Sequence, residues 1–486
     1  MLKRILLYAL FFTLMAVPSA VAQDAAAVPL PDTPVGKQFE QLLASLVNGD
    51  YEDYIKDNFT EAFLQEYSLA EHMGFFRQMA EMHGGFTPHT IEKATEHGMT
   101  LLAKSNERAD TFRRLVLQTD ANPPHKVSSL GIERASAPDG YEGSTKQPEK
   151  KKTEGEILAF VESELKRMAE ADEFSGVMLI AKDGKALFKQ AYGLASKRFN
   201  VPNNVETKFN LGSINKMFTG IAMAQLLEQG QVGLDDPMSK YLPDFPSEIA
   251  DKVTIRHLLT MTSGMGEYWN EHYEATWSTI RTVDALIEII KEIPLDFEPG
   301  TRQQYSNSGY VVLGAIIESV TGESYYDYVG EHVFKPAGME HTDSYELDQI
   351  VPNLAIGYTQ NRSENPYHDN KWQNNMFVHS VKGGPAGGGY STLDDLLKYV
   401  EALKADKLAG PRYTNMAIGL FRNLDHPDER PPAFGVAGGA PVGINAFLGT
   451  VFESGYTVVV LSNYDPPTAM KFGGDVFRML RDLPSP

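Results

Sequence analysis

The chain contains 486 residues, of which 42% are hydrophobic and 22% charged, a composition typical of folded globular proteins with two or three domains. Its 44 basic and 64 acidic residues give a formal net charge of −20, which disfavours nucleic acid as a partner because the surface repels phosphates. Cysteine is absent, so disulfides, thiolate nucleophiles and cysteine-based metal sites are excluded. The histidines are scattered without paired metal-ligand spacing, and we expect no metal and no cofactor.

The first 22 residues have the pattern of a bacterial export signal. Lys3 and Arg4 precede an apolar run over residues 5–17, and the small residues of Ala20-Val21-Ala22 follow it. This run is shorter than the roughly 20 residues that a membrane-spanning helix needs. We therefore expect residues 1–22 to be a signal peptide, the mature chain to have no membrane span, and the protein to be periplasmic or secreted.

Residues 35–135 predict a small α+β domain. Apolar side chains from Phe39 to Val47 repeat with the helical period, and the pattern stops at Asn48-Gly49. Residues 60–82 continue the helical pattern, and short segments typical of strands follow near residues 90, 100, 114 and 127. Helices followed by a small antiparallel sheet resemble a cystatin-like or NTF2-like domain. We interpret it as a binding or dimerising module or, equally, as a spacer.

The remainder of the chain predicts a linker and a larger α/β domain. Residues 136–153 are rich in Gly, Pro, Ser and charge, which favours a linker. Within residues 154–486, Asp183-Gly184 between apolar runs predicts a β-hairpin. A second hairpin is predicted around residues 453–455, with a closing helix over 470–480. The most economical architecture is one antiparallel sheet made from both ends of this domain, flanked by helices and interrupted by a large helical insertion.

Ser213 and Lys216 are the first candidate catalytic residues. Ser213 follows Gly212 at the start of a helix that is apolar on nearly all sides as far as Gly230. Lys216 stands three positions further, one helical turn above the hydroxyl. A serine hydroxyl needs a base before it becomes a nucleophile, and burial would favour the neutral lysine that can serve as one. If the lysine instead stays charged, it would lower the pKa of another base nearby.

Tyr305 and Asn307 are the next candidates. The spacing of Ser213 and Lys216 is not specific by itself, because Ser163 and Lys166 share it on a helix where solvent exposure is expected for both. The segment Tyr305-Ser306-Asn307 follows a turn-rich loop and precedes a predicted helix over 311–320. A phenol can receive and return the serine proton, and an asparagine can orient an ester or amide. Together the residue types favour acyl transfer.

Four motifs in this order resemble the class C β-lactamase and penicillin-binding-protein-like serine hydrolases. They are Leu211–Thr219, Thr254–Gly264, Glu298–Asn307 and Gly383–Thr392. The resemblance spans essentially residues 154–486 and implies a β-lactamase/transpeptidase-like α/β fold. It also implies that Ser213 forms an acyl-enzyme, that Lys216 and Tyr305 share general-base and general-acid work, and that Asn307 binds or orients substrate.

One motif departs from the family pattern. On the strand that lines the pocket, the family carries Lys or His two residues before Gly, whereas this chain has Val436. Gly438 and Gly439 remain as candidate substrate-binding residues, and we expect the Gly439 amide to serve as an oxyanion donor. The lost charge disfavours substrates recognised through a carboxylate. Lys382 or His379 would restore it, although exposure to solvent is the commoner outcome for such loop side chains.

These observations predict a secreted serine hydrolase, an esterase or peptidase that acts on small esters, amides or peptides through an acyl-enzyme. True β-lactamase activity is disfavoured by the valine at the position of the missing cation. The alternative is a catalytically weak binding or sensor protein that keeps the pocket of the penicillin-recognising fold.

Overall fold

The computed structural model describes residues 28–66, 69–107, 111–138, 152–360, 371–421 and 424–483. The chain forms two compact units, residues 1–149 and 150–486. The predicted signal peptide, residues 1–22, lies outside the described residues, and so does most of the predicted linker, residues 136–153. Of the helices that are described, none combines the length and the apolar character needed to cross a bilayer.

The first unit places four helices before a four-stranded antiparallel sheet of order β1-β2-β3-β4. The helices are α1 (Pro34–Asn48), α2 (Tyr51–Asn58), α3 (Glu61–Glu66) and α4 (Leu69–His83). The strands are β1 (Phe86–Ala94), β2 (Gly98–Ser105), β3 (Phe112–Thr119) and β4 (Val127–Ala135). Helix α1 ends at Gly49, whose φ of 82° is left-handed. The helix expected over residues 60–82 corresponds to α3 and α4, and α2 was not predicted. The likeness to cystatin-like or NTF2-like domains stays a prediction.

The second unit contains the remaining helices and strands. Its first part contains α5 (Glu154–Glu170), β5 (Gly176–Lys182), β6 (Lys185–Tyr192), β7 (Leu194–Ser196), β8 (Val201–Pro202), β9 (Phe209–Asn210) and α6 (Lys216–Glu228). Its helical middle contains α7 (Ser247–Ala250), α8 (Ile255–Leu259), α9 (Glu271–Thr276), α10 (Val283–Ile290), α11 (Asn307–Thr321), α12 (Tyr325–Val329) and α13 (Lys335–Ala337). Its last part contains β10 (Tyr358–Thr359), β11 (Gln373–Asn374), β12 (Tyr390–Ser391), α14 (Leu393–Lys404), α15 (Pro411–Ala417), β13 (Ala433–Ala440), β14 (Ile444–Val451), β15 (Tyr456–Ser462) and α16 (Thr468–Arg481).

The main sheet joins the two ends of the second unit. Its five strands pair antiparallel in the order β13-β14-β15-β5-β6. The predicted hairpin between β5 and β6 turns at Asp183 and Gly184, which have φ values of 50° and 73°, as a two-residue primed turn requires. Both predicted hairpins and the closing helix are present, so the predicted architecture is confirmed.

Side chains of the central strands alternate between two cores. In β5, Met178 and Ile180 pack with α5 and α16 on one face, while Val177 and Leu179 join the larger core that contains α6 on the other. The sheet is therefore the middle layer of three, because each of its faces is apolar and covered by helices. Helix α6 lies within the larger core, and every residue from Lys216 to Leu227 is buried.

Replacing Phe218 in α6 by alanine is expected to lower the stability of the second unit by about 3–5 kcal/mol. Phe218 is fully buried and makes edge contacts with Phe334 and Tyr399, with ring centroids 4.9 and 5.0 Å away. All three tryptophans lie in the second unit, so the urea midpoint of their fluorescence reports on it. Phe199→Ala removes a ring that is 72% exposed and should change stability by less than about 0.5 kcal/mol; equal midpoints for the two variants would contradict the prediction.

Candidate active site

Ser213 lies in a 3₁₀ turn that leads directly into α6. Gly212 before it has a φ of +50°, and a Cβ at this position would come within 2.7 Å of the Gly439 amide nitrogen. On the other side of the turn, Asn215 Nδ2 donates to the Gly384 carbonyl at 2.8 Å. The turn is thus held between strand β13 and the glycine-rich segment, residues 383–389. These contacts fix the direction of the serine hydroxyl.

Lys216 is the first residue of α6 and is fully buried. Its Nζ lies 3.1 Å from Ser213 Oγ, 2.6 Å from Asn307 Oδ1 and 2.5 Å from the Ala386 carbonyl oxygen. Residues three apart eclipse each other in a 3₁₀ turn, which brings the amine over the hydroxyl. Burial disfavours the ammonium and lowers the pKa of Lys216 to about 7, against the opposing effect of the Glu267 carboxylate.

Tyr305 completes the contacts of the serine hydroxyl. Its OH lies 2.5 Å from Ser213 Oγ, and Lys216 Nζ lies 4.8 Å from the centroid of its ring. Desolvation raises the pKa of Tyr305 to about 12. The next residue, Ser306, caps the N-terminus of α11, so Tyr305 and Asn307 are held on either side of a helix start. The structure therefore brings all four predicted polar residues together.

Glu267 is a site residue that the sequence analysis missed. One of its carboxylate oxygens accepts the backbone N–H of Asn307 and the other accepts Asn307 Nδ2, each at 3.0 Å. Burial raises the pKa of Glu267, while these two hydrogen bonds and the charge of Lys216 oppose the rise. The two partners are 40 residues apart in the chain, so no local pattern joins them. The one available signal was an acidic residue alone in the apolar loop Gly264-Met265-Gly266-Glu267-Tyr268.

Strand β13 approaches the serine turn through glycine. A Cβ on Gly438 would lie 2.0 Å from the Leu211 carbonyl oxygen and 2.8 Å from the Ser213 nitrogen, so only glycine fits there. Gly439 lines the cleft together with Ser213, whereas Gly438 faces the backbone of the turn. Of the two glycines predicted to bind substrate, Gly439 is thus the one at the cleft.

Ser213 and Asn307 open into a cleft with a volume of about 370 Å³. Part of its wall is aromatic, and most of these aromatic residues come from the segment that follows Glu267. The Tyr and Trp residues that line it are Tyr268, Trp269, Tyr273, Trp277, Tyr345 and Tyr390. The described residues contain no group of three or more His, Asp or Glu side chains arranged to hold a metal ion.

Among the described residues that line the cleft, Lys382 is the only one with a permanent positive charge. Its Nζ lies 3.3 Å from Glu346 Oε1 and 4.1 Å from the Tyr326 ring centroid, so that charge is already paired. His379 is largely enclosed, and burial lowers its pKa, which leaves it neutral at pH 7. The expectation that these two side chains extend into solvent is therefore wrong. Val436 is 9% exposed and packs in the larger core.

Comparison with known proteins identifies the family. A family model described as Beta-lactamase matches residues 162–480. The chain belongs to that family. PbpX of Bacillus subtilis is 35% identical over 237 residues, which are 48% of this chain and 56% of PbpX. A teichoic acid D-alanine hydrolase of Staphylococcus aureus is 26% identical over 302 residues, 62% of this chain and 71% of that protein. The crystal structure of a penicillin-binding protein from Bacillus halodurans has a TM-score of 0.55 and 29% identity, covering 65% of this chain and 98% of that one.

Membership in the beta-lactamase family confirms the resemblance drawn from the four motifs and the fold class that it implied. One relative in this comparison is named as a teichoic acid D-alanine hydrolase. The first unit of this chain lies outside the matched range. Because the match to PbpX spans less than two thirds of that relative, the activity and substrates of this protein are matters for proposal.

Proposed function

We propose that this protein hydrolyses esters or amides through an acyl-enzyme on Ser213, with Lys216 as the general base and Tyr305 as the proton carrier to the leaving group. The observation that carries the proposal is the double contact of Ser213 Oγ, with an amine at 3.1 Å and a phenol at 2.5 Å. A hydroxyl with a base and an acid both in reach can lose and regain one proton within a single turnover.

The protonation states favour Lys216 as the base. At a pKa of about 7, half of the lysine is neutral near pH 7. Even at the ordinary phenol pKa of about 10, forming the phenolate at pH 7 costs roughly 4 kcal/mol, and desolvation raises the pKa of Tyr305 further. Neutral Tyr305 can still donate its proton and be resupplied from Lys216. Of the two candidate general bases that the sequence left open, we therefore propose Lys216 rather than Tyr305.

The proposed reaction has two stages. Ser213 Oγ bonds to the carbonyl carbon while its proton passes to Lys216 Nζ. The carbonyl oxygen becomes negatively charged beside the backbone amides of Ser213 and Gly439. The C–O or C–N bond then breaks, the leaving group takes a proton through Tyr305, and the acyl group stays on the serine. Water repeats the same steps to release the acid, and Asn307 orients the bound group.

We further propose that the preferred substrates are uncharged around the scissile bond and carry an apolar group. The cleft wall is largely apolar, Lys382 is paired with Glu346, and Val436 packs in the larger core, where it offers no charge. An unpaired carboxylate buried in such a cleft would lose its hydration without compensation. The named D-alanine hydrolase among the relatives fits the same acyl chemistry. The export pattern at Lys3 and Arg4 supports a place outside the cytoplasmic membrane.

A fluorophosphonate probe tests the nucleophile. We expect it to add its mass to the peptide that contains Ser213, as measured by tryptic mass spectrometry, because the hydroxyl lies next to a base. Ser213→Ala should abolish the labelling while leaving the thermal unfolding transition in place. A folded wild-type protein that takes up no label would favour the alternative, a binding or sensor protein without efficient turnover.

The roles of Lys216 and Tyr305 predict different pH profiles. For the wild type, kcat/KM should rise with pH through about 7, since the neutral lysine is the active form. Lys216→Met should lower kcat/KM by about 10² or more and abolish its rise with pH. Tyr305→Phe should lower kcat/KM by a similar factor but keep that rise, the acid limb of the profile. Steady-state rates from pH 5 to about 9 measure both effects. If the acid limb disappears in Tyr305→Phe and survives in Lys216→Met, Tyr305 rather than Lys216 is the general base.

Matched substrates test the preference for uncharged groups. We expect a D-alanyl peptide with its terminal carboxylate capped as the methyl amide to be cleaved about 10-fold to 10²-fold faster, in kcat/KM, than the free acid. An aryl ester with an apolar acyl group should likewise exceed a chromogenic cephalosporin in kcat/KM, because Lys382, the lysine that lines the cleft, is already paired with Glu346. Faster turnover of the free acid would show that a cation reaches the substrate.

A further inference from the structure

Glu267 holds Asn307 by two groups at once. Its carboxylate receives the backbone N–H and the side-chain Nδ2 of the same residue, both at 3.0 Å. Asn307 in turn accepts a hydrogen bond from Lys216 Nζ at 2.6 Å through Oδ1. Glu267 does not line the cleft, whereas Asn307 does. The chain of contacts therefore runs from a carboxylate behind the site, through one amide, to the amine beside Ser213.

This arrangement determines which way the Asn307 amide faces. An ionised carboxylate only accepts hydrogen bonds, so the group turned toward Glu267 must be the NH₂. The carbonyl oxygen is then left for Lys216. If the amide turned over, two acceptors would face each other on one side and two donors on the other, which costs free energy at a buried site.

We infer that Glu267 is a positioning residue, which fixes the orientation of the Asn307 amide and thereby the direction in which Lys216 presents its nitrogen to Ser213. The inference rests on the proposed function, because it assigns Glu267 a purpose in activating the same serine. It makes the amine part of a four-residue relay, of which only Ser213 and Lys216 are close in sequence.

The charges around the amine come from several elements. Tyr305 precedes α11 and Tyr310 lies within it, with ring centroids 4.8 and 5.6 Å from Lys216 Nζ. Glu267 and Tyr268 lie in the loop before α9. The charge of Asp296, which accepts a hydrogen bond from Gln304, raises the pKa of Glu267. Of these groups, Glu267 is the one whose charge raises the pKa of Lys216. Removing that charge should therefore move the activity limb to lower pH.

Glu267→Gln tests both effects in the full-length chain. Glutamine offers one acceptor and one donor, so its NH₂ opposes the Asn307 NH₂ and favours the turned amide. We expect kcat for an aryl ester to fall about 10-fold to 10²-fold and the acid limb to shift to lower pH. Glu271→Gln is the matched control, since it removes an exposed carboxylate four residues further along without touching Asn307, and it should leave rate and limb unchanged.

A reciprocal exchange separates positioning from simple loss of packing. In the double variant Glu267→Gln/Asn307→Asp, the glutamine oxygen can accept the backbone N–H and its NH₂ can donate to the new carboxylate, which still accepts from Lys216. The plateau kcat should recover at least 10-fold over that of Glu267→Gln. The acid limb should move to higher pH than in Glu267→Gln, because the carboxylate introduced by Asn307→Asp now contacts Lys216. Asn307→Asp alone sets two carboxylates against each other and should stay impaired.

The outcomes distinguish this inference from the proposed function. A wild type without Ser213-dependent acylation refutes the proposed function. An active wild type with Glu267→Gln indistinguishable from Glu271→Gln overturns the role of Glu267 alone. If Glu267→Gln loses thermal stability, the double variant decides: a stable protein without recovery and without the upward limb shift also overturns the inference, and recovery with that shift supports it.

Discussion

The desolvation of one amine is the constraint from which the arrangement of the site follows. Helix α6 is buried from Lys216 to Leu227, and the side chain of Lys216 has no exposed surface, so protein groups provide the polar contacts of its nitrogen. The fold supplies three polar partners from three segments: the Ser213 hydroxyl in the preceding turn, Asn307 Oδ1 at the start of α11, and the Ala386 carbonyl oxygen. These contacts compensate a buried polar group that would otherwise be costly, and they aim its nitrogen at the hydroxyl.

A second constraint is the close approach of backbone to backbone around the serine. Gly438 lies against the Leu211 carbonyl, Gly212 against the Gly439 amide, and Gly387 near the Gly212 carbonyl. Side chains at these points would push the edge strand and the glycine-rich segment away from the turn. The absence of Cβ atoms therefore brings peptide groups, rather than side chains, to the position where charge would develop during acyl transfer.

Features set by local chemistry were predictable from the sequence. Asp183-Gly184 marks a turn by its backbone preference, and the three-residue step from Ser213 to Lys216 places them together in any helix-like turn. Tyr305 could be predicted because the segment Tyr305-Ser306-Asn307 follows Ser213 and Lys216 in the order of the four motifs. What depends on distant segments was not predictable: the clamp of Glu267 on Asn307 spans 40 residues, and the pairing of Lys382 with Glu346 spans 36. Hydrogen-bond and charge partners of this kind are determined by tertiary packing, and no periodic sequence pattern marks them.

The sheet assembled from the two ends of the second unit has a consequence for how the chain acquires its structure. Neighbours in the central strand pair are far apart in sequence, as Lys182 and Tyr456 show with a separation of 274 residues. Contacts of such long range delay folding, because the entropy of closing the intervening loop is lost before the pairing contributes. The helical segment between these strands emerges from the ribosome before β15, so its apolar surfaces would meet their sheet only at the end of synthesis. A polypeptide of this design stays open for longer than one with local pairing, so the apolar faces of its helices remain exposed until the last strands have been made.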